Sequence, residues 1–147
     1  MTEEQVKKAI LKWLTDNAWE ILDYDFPGGG SGRKFHVESG ESDKTKGIVI
    51  PDIVAIKGGV VLICENKSVD TLSDYTKIKH LVHSNDFRAQ LSLAYPDVVI
   101  EKVVWGIGYG GLPKHLAKAS SSRVDVIISV VGGENSSVLC NLVYGEL

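Results

Sequence analysis

The stretch PDIVAIKGGVVLICENK, Pro51 to Lys67, decides how this chain folds. Two strand-like runs, Ile53 to Ile56 and Val60 to Cys64, flank the pair Gly58-Gly59, which is the pattern of a two-residue hairpin turn. Such a turn pairs Lys57 with Val60. Counting outward from that pair sets Asp52 opposite Glu65.

Side chains alternate along a strand, so Glu65 and Lys67 are expected on one face. Cross-strand partners share a face, which brings Asp52 to the same side with Cβ atoms roughly 4.5–5.5 Å apart. Two carboxylates and an ammonium are therefore expected at the end of an otherwise apolar hairpin. Like charges this close repel unless they are protonated, separated by solvent or bridged by a cation. A bound divalent ion is the economical explanation. The competing reading is a polar patch in which Asp52 caps a strand edge and Glu65 pairs with Lys67.

Toward the amino terminus, Thr2 and Gln5 fit a capping box that opens a helix. Val6, Ile10, Trp13 and Leu14 then form one apolar face suited to lying on a sheet. Glu3 projects near that face and Glu4 well away from it, which makes Glu3 the candidate for a third site carboxylate. The alternative for Glu3 is simpler, because acids in a first turn favour the positive end of a helix. Trp19 to Phe26 reads as a short strand, ended by Pro27 and the glycines that follow it.

Residues 28–47 are rich in Gly, Ser and charge, with a small strand expected from Lys34 to Glu38. The stretch is too polar for ordinary core and long enough for a flexible or DNA-contacting insertion. Its cations are Arg33, Lys34, Lys44 and Lys46, placed to reach phosphates. No GxxxxGK[ST] pattern is present, so it is not a nucleotide-binding P-loop.

Beyond the hairpin, a helix is expected from about Asp74 toward Leu93, with Ile78, Leu81, Val82, Phe87 and Leu91 buried. Its Lys77, Lys79 and Arg88 are candidates for phosphate contact or a subunit interface. His80 and His83 share a helical face, but no third strong ligand completes a zinc motif, so core-edge packing or phosphate contact is the better assignment. Val98 to Tyr109 reads as a strand buried on both sides, with Trp105 in the core. A short helix at Pro113 to Ala119 and strands at Val124 to Val131 and Ser137 to Tyr144 complete the pattern. The result is a single α/β domain spanning residues 1–147, a mixed sheet flanked by helices.

Bulk properties agree with one domain. A chain of 147 residues, 44% of them hydrophobic, buries about 68–70% of its unfolded surface. No apolar run approaches the ~20 residues a membrane span needs, and Glu3 and Glu4 stand where a signal segment would be basic. A soluble, intracellular protein without a membrane partner is expected. Cys64 and Cys140, the only cysteines, fit reduced core positions. The net charge of −3 argues against a broadly basic coat but leaves local phosphate contact open.

Pro51-Asp52, a turn between hydrophobic strands, and then Glu65-Asn66-Lys67 resemble the PD-(D/E)XK nuclease superfamily, also called restriction-endonuclease-like. The resemblance implies a restriction-endonuclease-like mixed central sheet with an early helix and another after the signature. It implies Mg²⁺-dependent hydrolysis of DNA phosphodiesters, with Mn²⁺ able to substitute, leaving a 5′ phosphate and a 3′ hydroxyl. By position, Asp52 and Glu65 would bind metal, the Asn66 backbone carbonyl would complete the coordination, and Lys67 would position or deprotonate the attacking water. Glu3 matches the extra helix-borne acid of some members. A type II restriction-like endonuclease acting as a homodimer on DNA is the first expectation. The alternatives are a Holliday-junction resolvase and a noncatalytic DNA-binding or assembly protein that retains a nuclease-like site.

Overall fold

Gly58 and Gly59 adopt φ angles of 55° and 79°, the left-handed region that a residue without Cβ enters cheaply. They close the tight turn read from the sequence, and the ladder runs from Lys57↔Val60 to Ile53↔Cys64 in the expected register. The structure of the protein, a computed structural model, describes residues 2–25, 33–37, 47–67, 75–110, 125–131 and 137–141. Its elements are α1 (Glu3–Asp16), β1 (Glu20–Tyr24), β2 (Phe35–Val37), β3 (Gly47–Val49), β4 (Ile53–Lys57) and β5 (Val60–Lys67), then α2 (Tyr75–Val82), α3 (Asn85–Ala94), β6 (Lys102–Gly110), β7 (Val126–Val131) and β8 (Ser137–Asn141).

Six strands form one mixed sheet in the order β1-β4-β5-β6-β7-β8, and β2 with β3 forms a separate small ribbon. Neighbours β1/β4, β4/β5 and β7/β8 are antiparallel, whereas β5/β6 and β6/β7 are parallel. The parallel step from β5 to β6 requires a crossover, and α2 and α3 supply it.

Alternation along β5 divides the core in two. Leu62 and Cys64 pack under α1 with Val6, Ile10 and Leu14, whereas Val61 and Ile63 pack with Leu81, Phe87, Leu91 and Trp105 on the opposite face. Each buried Leu, Ile, Val or Phe contributes about 1.5–3 kcal/mol relative to exposure, so the register of β5 is fixed from both sides. Cys64 is buried; the side chain of Cys140 lies outside the described set.

The capping box of α1 is present in both halves. Thr2 Oγ1 accepts the Gln5 N–H at 3.2 Å and Gln5 Oε1 accepts the Thr2 N–H at 2.8 Å. Val6, Ile10 and Leu14 are fully buried, while Trp13 sits at the border of the apolar face. In the polar 28–47 stretch, Phe35 is an exception to the expected surface character. It is 2% exposed and meets Phe87 edge to face at 5.0 Å, and Gln90 Nε2 ties the ribbon to α3 through the His36 carbonyl at 2.6 Å. Lys44 and Lys46 lie outside the described residues.

The single helix expected from Asp74 to Leu93 is two helices. Ser84 adopts an extended conformation (φ −72°, ψ 151°), its Oγ accepting the Phe87 N–H at 3.1 Å and donating to the Leu81 carbonyl at 2.6 Å. A serine that can satisfy both helix ends stops one and starts the next. Strand β6 begins at Lys102 rather than Val98, because the Glu101 N–H is drawn to the Gly59 carbonyl at 2.8 Å. The expected helix at 113–119 lies outside the described residues. Among the described residues no helix is long and apolar enough to cross a membrane.

Asp125, just before β7, fastens α2 to the sheet. One carboxylate oxygen accepts the Trp105 N–H at 2.8 Å and lies 2.5 Å from His83 Nε2; the other is 3.0 Å from Lys79 Nζ. Burial pushes this carboxyl up, but hydrogen bonds from His83, the Trp105 N–H and Lys79 outweigh it and hold the pKa at about 2 against an ordinary 3.8. A depressed folded-state pKa stabilises above the unfolded value, and that stability is lost as pH falls from about 3.8 through about 2. Asp125→Asn should therefore cost at most about 2 kcal/mol at pH 6 and flatten this acid limb. Urea unfolding from pH 6 down to pH 2 measures both; an unchanged limb would show that the carboxylate carries no such linkage.

Candidate functional site

The site stands where the β4–β5 ladder stops. Continued outward, the register puts Pro51 opposite Asn66. Proline has no N–H to give to the Asn66 carbonyl, and the backbone responds at Asp52. The Asp52 N–H donates to Cys64 O at 3.1 Å, and the Asp52 carbonyl accepts the Asp25 N–H at 2.8 Å. Asp52 Oδ2 then takes the Asn66 N–H at 2.8 Å, so a side-chain oxygen closes the end of the ladder.

This bond turns the Asp52 carboxylate away from the face that strict alternation assigns to it. It borders an open cleft of about 230 Å³ on the α1 side, lined by Glu3, Glu4, Lys7, Asp25, Asp52 and Asn66. Lys7 Nζ lies 3.7 Å from Asp52 Oδ1, with the two side chains 7% and 23% exposed, and it also donates to the Asp25 carbonyl. The cleft is thus lined by four acidic residues and one buried lysine. Asn66 is 1% exposed, and its Nδ2 has no hydrogen-bond partner among the described residues.

Glu65 borders a different depression, of about 200 Å³, on the α2 side with Val49, Ile50, Pro51, Ile78 and Trp105. The regular ladder ends at Ile53↔Cys64, and beyond it Asp52 and Glu65 border different clefts. The physical reason is the break at Pro51, which frees Asp52 from the pleat and lets it bond in the plane of the sheet. Lys67 ends β5 opposite Tyr109; its side chain lies outside the described set. Glu3 does line the cleft of Asp52. So does Glu4, which was expected to point away and which also pairs with Lys8 at 3.2 Å. Among the described residues no three His, Cys, Asp or Glu side chains gather closely enough to enclose a metal ion.

Lys7 is the residue that sequence reasoning passed over. Its signal was a lysine in the stripe shared by Glu3, Ile10 and Leu14, where a buried face calls for apolar residues. A long side chain solves that by burying its stem and carrying its head to the cleft. Asp25, inside the expected Trp19–Phe26 strand, carries no such signal in the sequence.

The expected DNA-contacting cations are dispersed. Arg33 is exposed, its guanidinium 5.4 Å over the Tyr95 ring and its N–H bonded to Asp23 at 3.1 Å; Lys34 is exposed nearby. Lys79 is engaged by Asp125. Arg88 donates to the Ile100 carbonyl at 2.6 Å, beside the start of β6, which pairs with the start of β5. That is the end of the sheet opposite Asp52. The side chain of Lys77 lies outside the described set. His83 is held by Asp125, as core-edge packing requires, and His80 is exposed.

In comparison with known proteins, no family model matches the sequence and no curated protein does.

Gly108, opposite Asn66 on β6, makes room for the floor of the cleft. A Cβ there would collide with Ile10 Cδ1 and stand 2.6 Å from Asn66 Oδ1. Gly108→Ala should destabilise by roughly 1–3 kcal/mol, the range for overpacking a tight core. Thermal unfolding measures it; an unchanged melting temperature would mean that α1 shifts freely over the sheet.

Proposed function

We propose that this chain is a metal-dependent endodeoxyribonuclease of the type II restriction-like kind, with its site at the Pro51–Asp52 and Glu65–Lys67 end of the central hairpin. The observation that carries the reading is the interrupted ladder at that end. Asp52 takes the Asn66 N–H through Oδ2, just beyond the last regular pair, Ile53↔Cys64, and next to Pro51, which has no N–H to donate. The strand order supports the same reading. An antiparallel run β1-β4-β5 preceded by a helix, then a helical crossover to a parallel β6, agrees with the restriction-endonuclease-like sheet implied by the resemblance.

The oxygens that would hold an ion at this end are the Asp52 carboxylate and the Asp25 and Asn66 carbonyls, with Glu65 bordering the neighbouring cleft. Mg²⁺ prefers such ligands, retains several waters and commonly uses only one or two carboxylates, so a three-acid cage is not required. Bound there, Mg²⁺ or Mn²⁺ supplies Lewis acidity toward a phosphate oxygen and a more acidic water. The protein supplies the rest. Asp52 and Glu65 anchor and orient, and Lys67 holds the attacking water and offsets charge that develops on the phosphorus oxygens. Glu3 adds negative charge from α1. Water adds to phosphorus as the 3′ oxygen leaves, giving a 5′ phosphate and a 3′ hydroxyl. Two copies in a homodimer would make paired cuts.

A second reading has its own support. Asp52 and Glu65 border separate clefts, the arrangement expected if the fold is retained for DNA binding or assembly without catalysis.

The test titrates Mg²⁺ and Mn²⁺ against duplex, nicked, single-stranded and four-way DNA. Discrete duplex fragments are expected, reduced about a hundredfold or more in Asp52→Ala and Lys67→Ala. Selective symmetric nicking of four-way DNA would move the assignment to a Holliday-junction resolvase. Binding without cleavage across the panel would establish the noncatalytic reading instead.

A further inference from the structure

We propose that the cation position of the α1-side cleft is built from the Asp52 carboxylate and the Asp25 carbonyl, and that Lys7 is its resident occupant, displaced when a divalent metal ion binds. The inference rests on the metal-dependent reading of Asp52 and adds to it the group with which the metal competes.

The first support is the surroundings of Lys7 Nζ. It is buried, 3.7 Å from Asp52 Oδ1, and donates to the backbone carbonyl of Asp25. A carboxylate and a carbonyl are also the ligands that Mg²⁺ and Mn²⁺ take. An ammonium and a hard divalent ion therefore have use for the same oxygens, and they cannot share them at contact distance. Glu3 and Glu4 line the same cleft and add negative charge that favours the ion of higher charge.

The second support is independent of the acids. Asn66 lines this cleft, is 1% exposed, and its Nδ2 is without a partner among the described residues. A buried donor left unsatisfied costs about 1–3 kcal/mol, and an amide N–H suits a phosphate oxygen brought in beside the metal. The cleft therefore holds a position for a cation, with a buried amide donor in its lining.

Two consequences separate this proposal from a plain structural ion pair. Removing the ammonium should strengthen metal binding, because the oxygens no longer have to be vacated. Keeping the charge while changing the head group should not. Lys7→Met preserves most of the apolar stem, and Lys7→Gln is the second neutral variant in case Met disturbs packing; circular dichroism establishes that each is folded. Lys7→Arg retains the charge.

Mn²⁺ alone is the probe, titrated by calorimetry and by the electron paramagnetic resonance of the free ion, without DNA. The expected result is that Lys7→Met or Lys7→Gln binds Mn²⁺ about tenfold more tightly than the unmodified protein, the scale of one charge-assisted hydrogen bond. Lys7→Arg should show no such gain, and adding Asp52→Asn should abolish binding in either background. Asp52-dependent binding by the unmodified protein that is unchanged or weakened in both neutral variants would overturn the occupant role while leaving the nuclease reading in place. Absence of Mn²⁺ binding at millimolar concentration in the unmodified protein and in every variant would overturn both.

Discussion

Strand β5 is hydrogen-bonded on both edges and covered on both faces, and that double constraint organises the molecule. Its antiparallel edge fixes β4, and through β4 the first strand; its parallel edge fixes β6 and forces the chain to cross over by way of α2 and α3. Its faces leave no polar position along Val61, Leu62, Ile63 and Cys64, all of which are fully buried. A slip of one residue would exchange the two cores and bring side chains of the wrong shape under each helix. Polar chemistry is confined to the final residues of the strand, beyond the apolar cover.

At that end the order of events is set by a proline. Pro51 removes one donor from the ladder, Asp52 supplies a carboxylate oxygen in its neighbourhood, and the Asn66 N–H takes it. An acid that strict alternation sets beside Glu65 is thus drawn into the sheet plane and toward α1. The consequence is electrostatic. The Asp52 charge meets a buried lysine, and an ammonium taken out of water is tolerable only because a carboxylate and a carbonyl receive it.

The polar clamp at Asp125 has the opposite character. It joins α2 to β6 and β7 with a backbone donor, a lysine and a histidine around one carboxylate, and its geometry leaves Lys79 and His83 occupied with holding the structure. Cations that look alike in the sequence, Lys79 and Arg88 among them, are thereby taken up in internal contacts. Arg33 and Lys34 remain on the exposed surface.

The sequence alone determined the hairpin, its turn and its register, because two adjacent glycines between apolar runs admit few alternatives and the relevant contacts are local. It determined the capped first helix for the same reason. It also supplied the composition of the polar end, with Asp52, Glu65, Asn66 and Lys67 in fixed order. Tertiary structure decided what those residues face. That Phe35 belongs to the core depends on Phe87 in a distant helix, and that one helix becomes two depends on Ser84 satisfying both ends. The division of Asp52 from Glu65 follows from the Asn66 N–H taking the Asp52 carboxylate, and the meeting of Asp52 with Lys7 from how α1 lies across the end of the sheet. Periodicity gives the face on which a side chain starts; only the packed neighbours decide where a long or unpleated one ends.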